Sequence, residues 1–338
     1  MTSQPANRRS ILHGVGLIFP ALLSGCLNPN WGENDENDLV PDPDWTHTHH
    51  NDEVEAVTFN DGRVFSGGRE GEVISSNSHN GNELWQHTYL PEGLTRDVFS
   101  IDDTVLNCGL GNAVVAADTK QGSKKWLHTH HDHPVYEVSA GPDRAYSGDR
   151  GGFVIAANLA DGDRYWSHSY HSDEEATPQD EMIRTVHYSE NKNVVLSAGY
   201  DRHVIAADAD DGSQVWEFDR SRRIKSVDMA GELVHIGIWS TSSDEKVEAI
   251  SWETQEKVWS HKAHDPDSKG VQEIHSNNGI VASAGDDHKV VVAEADTGEI
   301  IDTHTKHTDA VRSVHVEDGW VLSGSRDGQV ILHEINFD

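Results

Sequence analysis

A column of tryptophans limits what this chain can fold into more than any other feature. Trp45, Trp85, Trp126, Trp166, Trp216 and Trp259, followed in position by Asp302, recur at spacings of 40, 41, 40, 50, 43 and 43 residues. Six of the ten tryptophans share that register, so one unit is written seven times in 338 residues. Each unit has the same internal order. It opens with an apolar pair three apart, such as Val54 and Val57, Val98 and Ile101, or Val311 and Val314. A second apolar run follows, as in Val64-Phe65-Ser66-Gly67 and Val321-Leu322-Ser323-Gly324. A turn rich in glycine and charge leads to a third run, such as Val154-Ile155-Ala156-Ala157, and a glycine turn leads to the tryptophan. Short β-branched runs between turn residues read as four antiparallel strands, and no window holds a helical period. The expectation is an all-β chain, a seven-bladed propeller over residues 45–338.

The two ends of the repeat fit each other. The seventh unit has only three runs before the chain stops at Asp338, whereas Trp45-Thr46-His47-Thr48-His49-His50 matches Trp126-Leu127-His128-Thr129-His130-His131. The N-terminal strand is therefore expected to complete the last blade, which removes the open edge that an unclosed ring would expose.

Two families are resembled over 45–338. Ser323-Gly324-Ser325-Arg326-Asp327-Gly328, with His307 four residues before Val311, resembles the WD-repeat, in which His and Asp belong to a hydrogen-bonded network within each blade. Asp201, Asp287 and Glu70 fill the same turn position, and His50 and His131 repeat the spacing, but the third strand lacks that family's Trp. Ala116-x-Asp118, Gln121-Gly122 and Trp126, repeated at Ala206, Asp208, Gly212 and Trp216, resemble the quinoprotein-like (PQQ-type) repeat. That resemblance, favoured for its Trp column, implies that each tryptophan docks between adjacent blades.

The N-terminus gives an address. Its first 26 residues contain no acid and read Arg8-Arg9-Ser10-Ile11-Leu12, an apolar run over 14–23, then Leu23-Ser24-Gly25-Cys26. A basic start, a short apolar core and small residues before a cut describe an export signal, with a run too short for a permanent span. Arg8 and Arg9 resemble the twin-arginine signal, and Leu23 to Cys26 resembles a lipobox, which implies a signal peptide over 1–25 and a lipid on Cys26. Residues 26–44, with six acids, three prolines and no base, suit a solvated tether. The expected location is the outer side of the cell membrane.

The formal charge of −32, from 58 acidic and 26 basic side chains, repels phosphate backbones and excludes general nucleic-acid binding. It resembles the composition of halophilic proteins, in which dense carboxylates hold water at high salt. Cys108 is the only cysteine besides Cys26 and reads as a small buried side chain.

No catalytic constellation emerges. A quinoprotein enzyme would hold its cofactor in the central channel with calcium and an acidic base, usually in eight blades, and no residue set here maps onto such a site. No cofactor is expected. There is no phosphate loop, and Ser, His and Asp are too abundant for any triad to stand out. Histidine runs such as His128-Thr129-His130-His131 make metal binding a further alternative, but their recurrence in the last strand of nearly every unit reads as a structural column, so no metal residue is assigned.

The insertions are more informative. Residues 171–181, 239–246 and 264–270 all project from one face, in neighbouring blades. Between the first and second of these lies Arg220-Ser221-Arg222-Arg223-Ile224-Lys225, and Arg184 and Arg312 occupy the repeat position of Lys225. These six bases are the expected binding face. It forms a basic mouth for an acidic protein loop, a carboxylate or a phosphate. The function read from sequence is a non-enzymatic, lipid-anchored interaction platform, with a cell-surface quinoprotein or other small-molecule enzyme as the alternative.

Overall fold

The second strand of each unit is buried on both faces, as in Thr104–Gly109 and Val194–Gly199, whereas the fourth alternates, as in Lys124–His128. This gradient from continuous to alternating hydrophobicity is that of a blade whose middle strands are covered by neighbouring blades and whose outer strand meets water. The computed structural model describes residues 45–90, 93–171, 181–241 and 245–337. Cys26, Arg8, Arg9, the tether over 26–44 and most of the first insertion lie outside the described residues.

Seven antiparallel four-stranded sheets form the propeller, and no helix occurs among the described residues. Blades one to six cover 54–88, 95–128, 135–168, 183–219, 223–261 and 271–304. Blade seven takes three strands from 311–334 and its fourth from Trp45–His47, with Trp45 opposite Leu332 and His47 opposite Val330. First strands neighbour one another around the axis, blade seven returning to blade one. Each of the seven interfaces holds its own apolar cluster. Between blades four and five, for instance, Leu196 and Ala206 meet Ile224, Val227 and Ile236.

The tryptophan column keeps a single register. Trp85, Trp126, Trp166, Trp216 and Trp259 all pair with the third strand immediately before a bulge, and Asp302 holds the same place opposite Val292. Each indole reaches across to the next blade. Trp45 donates to the carbonyl of Ser78, Trp85 to Thr119, Trp126 to Leu159, Trp166 to Ala209 and Trp259 to Ala295, at 2.6–3.1 Å. Trp216 instead meets Trp252 edge-on, with ring centroids 5.0 Å apart. Asp302 accepts from the backbone N–H of Asn336 at 3.1 Å, so a carboxylate performs the cross-blade link there with the opposite polarity.

Two sequence expectations need correction. The opening pair of blade two is Thr95 and Val98, since Thr95 faces Gly109 just as Val54 faces Gly68. A buried threonine, accepting from Asn107 Nδ2 at 2.9 Å, replaces the apolar residue, and reading Val98 with Ile101 displaced that blade by three positions. In blade one the acid paired to His50 is Glu72, at 2.5 Å, and not Glu70. The longer glutamate reaches the histidine from the start of the third strand.

Candidate functional site

The site is built on the first strands, which line the channel. Just after its first anchor each strand carries one residue at the channel mouth: Glu55, Arg96, Tyr136, Arg184, Lys225, Gln272 and Arg312 in blade order. Together with Asp97, Glu137 and Glu273 from the layer below, they enclose a polar cavity of about 210 Å³. Four cations and one carboxylate thus share one ring in a strongly acidic protein.

The lower layer explains why those cations are not neutralised from beneath. A bulge on each first strand turns the next residue toward the adjacent blade. Asp97 Oδ2 accepts from the N–H of Val138 at 2.9 Å, Glu137 Oε1 from Val186 at 3.3 Å, and Glu273 Oε2 from Val314 at 3.0 Å. Thr185, Ser226 and Ser313 do the same for Val227, Ile274 and Val57. Burial pushes the Asp97 carboxyl up to about 6, and burial, then the neighbouring acids, pushes Glu137 and Glu273 well above the usual range. These carboxyls are structural acceptors for the next blade, and burial disfavours their charged forms.

Aromatic rings hold the cations in place. Arg96 and Arg184 lie over the ring of Tyr136, at 5.1 and 4.3 Å from its centroid. Arg184 and Arg223 both approach Tyr200, at 6.0 and 4.8 Å, and Tyr200 stacks on Trp239 with centroids 5.4 Å apart. Arg223 and Lys225 then lie over Trp239, at 5.6 and 6.0 Å. The result is an alternating arc of cations and aromatics across blades two to five. Lys225 is buried, donates to Gln272 Oε1 at 3.0 Å, and has its ammonium pKa pushed well below the ordinary value by burial, then by Arg184 and Arg312, against the opposing pull of Asp286.

The six bases expected to act together are therefore divided. Arg184, Lys225 and Arg312 meet in the cavity, and Arg223 stands at its rim on Tyr200 and Trp239. Arg220 turns away, paired with Glu248 and lying over Phe218 at 4.6 Å. Arg222 is half-buried and makes no ion pair among the described residues. Sequence reasoning missed Arg96, because displacing blade two by three residues concealed its equivalence to Lys225. Among the described residues Arg96 is also the one cation of the mouth ring held by a carboxylate there, Glu55 at 3.5 Å.

The described parts of the second and third insertions are knitted together beside this mouth. Ser240 donates its N–H to Lys269 at 2.9 Å, and Trp239 bridges to Gly270. The fully buried Lys246 ammonium donates to the carbonyls of Ser240, Ser268 and Pro266, the last two at 3.0 and 3.4 Å.

On this face five blades carry a linked histidine, carboxylate and serine. His50, His131, His171, His264 and His307 meet Glu72, Asp149, Asp201, Asp287 and Asp327 at 2.5–3.1 Å through Nδ1. Their Nε2 atoms meet Ser66, Ser147, Ser197, Ser283 and Ser323 at 2.7–2.9 Å. Each has the connectivity of a hydrolytic triad, but every serine is at most 3% exposed, so no substrate carbonyl reaches the hydroxyl. They fasten the entering loop of a blade to its second strand. Blades two and five depart, with Asn107 and Ile236 in the serine place.

A second set of histidines forms ladders in three blades. His47, His128 and His168 stack between Trp45, Trp126 and Trp166 and a second ring, His49, His130 or Tyr170, with centroids 4.3–5.5 Å apart. Burial lowers all three to about 3, leaving neutral rings. Among the described residues one group has the spacing of metal ligands: His203 with Glu217 and Asp219, each 2.7 Å away on the exposed edge of blade four. Cys108 is fully buried and burial raises its thiol pKa well above the ordinary value, which suits packing and not nucleophilic chemistry.

The family described as "Outer membrane protein assembly factor BamB" matches residues 42–187 and 182–317. The chain belongs to the BamB family. A BamB-like propeller of the PQQ-type repeat is in general a protein-interaction platform, and the inter-blade tryptophans are its structural signature here. Among solved structures, the chain resembles the computationally designed protein Ika8, at 18% identity and a TM-score of 0.61, covering 85% of this chain and 97% of that one. That likeness concerns fold alone. No curated protein matches in sequence.

Proposed function

We propose that this BamB-family propeller is an exported, lipid-anchored, non-enzymatic platform that docks a protein partner on the outer side of the cell membrane. Arg8, Arg9 and the Leu23 to Cys26 segment support export and lipidation, and the acidic residues 26–44 supply the reach of a tether. The observation that carries the docking is the basic mouth itself. Arg184, Arg223, Lys225 and Arg312 are gathered beside the knitted loops of blades five and six, in a chain whose net charge is −32. A partner presenting an acidic loop meets complementary charge there and repulsion over most of the remaining surface. The family description, an outer membrane protein assembly factor, supports the same kind of role.

Reversing Arg222 and Arg223 to glutamate should abolish capture of the partner from membrane extracts while the unfolding transition stays unchanged. Capture that survives the double reversal would remove this face from the reading. Cys26→Ser should release the protein from the membrane or leave it unprocessed, and a processed, membrane-bound Cys26→Ser protein would overturn the lipid anchor.

A further inference from the structure

We propose that the mouth of the central channel is a binding site for a compact oxyanion carrying at least two negative charges, held by Arg184, Lys225 and Arg312. The inference rests on the reading of this end of the propeller as its ligand-facing side, and it names the chemistry received there.

Counter-charge is the argument. Arg96 has Glu55, at 3.5 Å, and Arg220 has Glu248. Arg184 and Arg312 make no ion pair among the described residues, and the buried guanidinium Nε of each has no hydrogen-bond partner, as is true also of Arg96 and Arg220. Lys225 has a neutral amide, Gln272, as its contact. The carboxylates beneath are committed to backbone N–H groups of the next blade, and burial favours their neutral forms. Three cations crowded around one cavity raise the free energy of the folded chain unless an anion enters.

Tyr136, Tyr200 and Trp239 keep Arg184 and Lys225 from swinging out to water, so part of the cost of ordering the site is met before a ligand arrives. A cavity of about 210 Å³ accepts a small polyanion whole. Two guanidiniums and an ammonium suit oxygens spread over a phosphate or a small polycarboxylate better than a single halide, because each guanidinium offers a planar fork of donors.

The same chemistry arises from a free solute or from clustered acidic side chains on a docked partner. Calorimetry on the full chain at fixed ionic strength, with citrate, inorganic phosphate and hexaglutamate as probes, separates the two. Saturable one-site binding of citrate or phosphate that hexaglutamate does not displace supports a free solute. Binding of hexaglutamate that competes with them supports an acidic segment. In either case the double variant Arg184→Gln with Arg312→Gln should weaken binding on the order of tenfold or more. Lys225→Gln, which removes the ammonium donor, should weaken binding in the same direction. Glutamine already stands at this ring position as Gln272, so these variants keep the fold, and their melting temperatures should hold or rise as repulsion is relieved.

Absence of saturable binding by all three probes, or equal affinity in the double variant, would overturn the site. Partner capture that depends on Arg222 and Arg223, together with no anion binding, would sink this inference and leave the platform standing. The reverse result would sink the platform alone.

Discussion

The backbone N–H of Val57 donates to the side-chain oxygen of Ser313, 2.9 Å away and 256 residues later in the chain. This contact seals blade seven to blade one at the axis, and it belongs to a belt of equivalent bonds from bulge residue to next blade. Ser313 is buried, so its removal leaves the Val57 N–H without a partner. Ser313→Ala should therefore cost about 1–3 kcal/mol in urea unfolding. Thr185 makes the same bond to Val227, so Ser313→Thr should cost far less. Equal stability of the alanine and natural proteins would show that the belt does not contribute.

The histidine networks make a second prediction. Asp149 is buried, takes His131 Nδ1 at 2.9 Å and accepts from the N–H groups of Gly151 and Phe153 at 2.8 and 3.0 Å. Asp149→Ala removes three bonds and leaves His131 without its carboxylate, at an expected cost of about 3–5 kcal/mol. Ser→Ala at Ser147 should cost less, since one neutral bond is lost. Chemical denaturation of the two variants side by side tests the order, and the same ranking should hold at Asp327 and Ser323.

The legibility of this chain follows from how often each feature is repeated. The Trp column could be read because a blade interface needs the same large donor in the same register in nearly every blade, and the single exception, Asp302, substitutes a different bond. The ring at the mouth was legible at Arg184, Lys225 and Arg312, which each follow an apolar anchor. It was hidden at Arg96, where the anchor is Thr95 and the apolar signal is absent. The aromatic arc could not be read at all: Tyr136, Tyr200 and Trp239 come from three different blades and two kinds of position, so no spacing joins them. The serine-to-acid spacing failed likewise at Glu72 and Asp149, because differing side-chain reach allows two turn geometries to make one network.

Turn conformation gives a third prediction. Gly162 sits at a φ of +79° with the ring of Trp126 pressed on it, and an added Cβ would lie 2.9 Å from that ring. Gly162→Ala should cost about 1–3 kcal/mol through strain and displacement of the indole. The equivalent turn of blade five carries Gln255 at a φ of +58°. Gln255→Gly should then be neutral or stabilising by up to about 1 kcal/mol, because glycine adopts that conformation without penalty. Thermal unfolding of both variants checks the pair, and a destabilised Gln255→Gly would show that the glutamine side chain makes up for its backbone.

The stacked histidines set the acid response. His128 is held at a pKa of about 3 by burial, with smaller contributions from His130 and His131, against 6.5 for a free imidazole. Its folded pKa is lowered, so below 6.5 the unfolded chain takes up a proton that the folded chain refuses, and stability falls as pH drops from 6.5 toward about 3. The slope contributed is at most about 1.4 kcal/mol per pH unit for each such ring. Asp97 acts in the opposite sense: its pKa is raised to about 6, so the folded chain binds the proton more tightly and gains stability as pH falls through 6. The register position of His128, opposite Val114, is filled in blade four by Phe218, opposite Val204, so the fold accepts a phenyl ring there. His128→Phe should leave stability at neutral pH nearly unchanged and flatten its decline between pH 6 and 4, while Asp97→Asn should steepen it. Urea midpoints across that range measure both slopes. A His128→Phe profile parallel to that of the natural chain would mean that the ring is protonated in the folded blade, and the neutral ladder would be wrong.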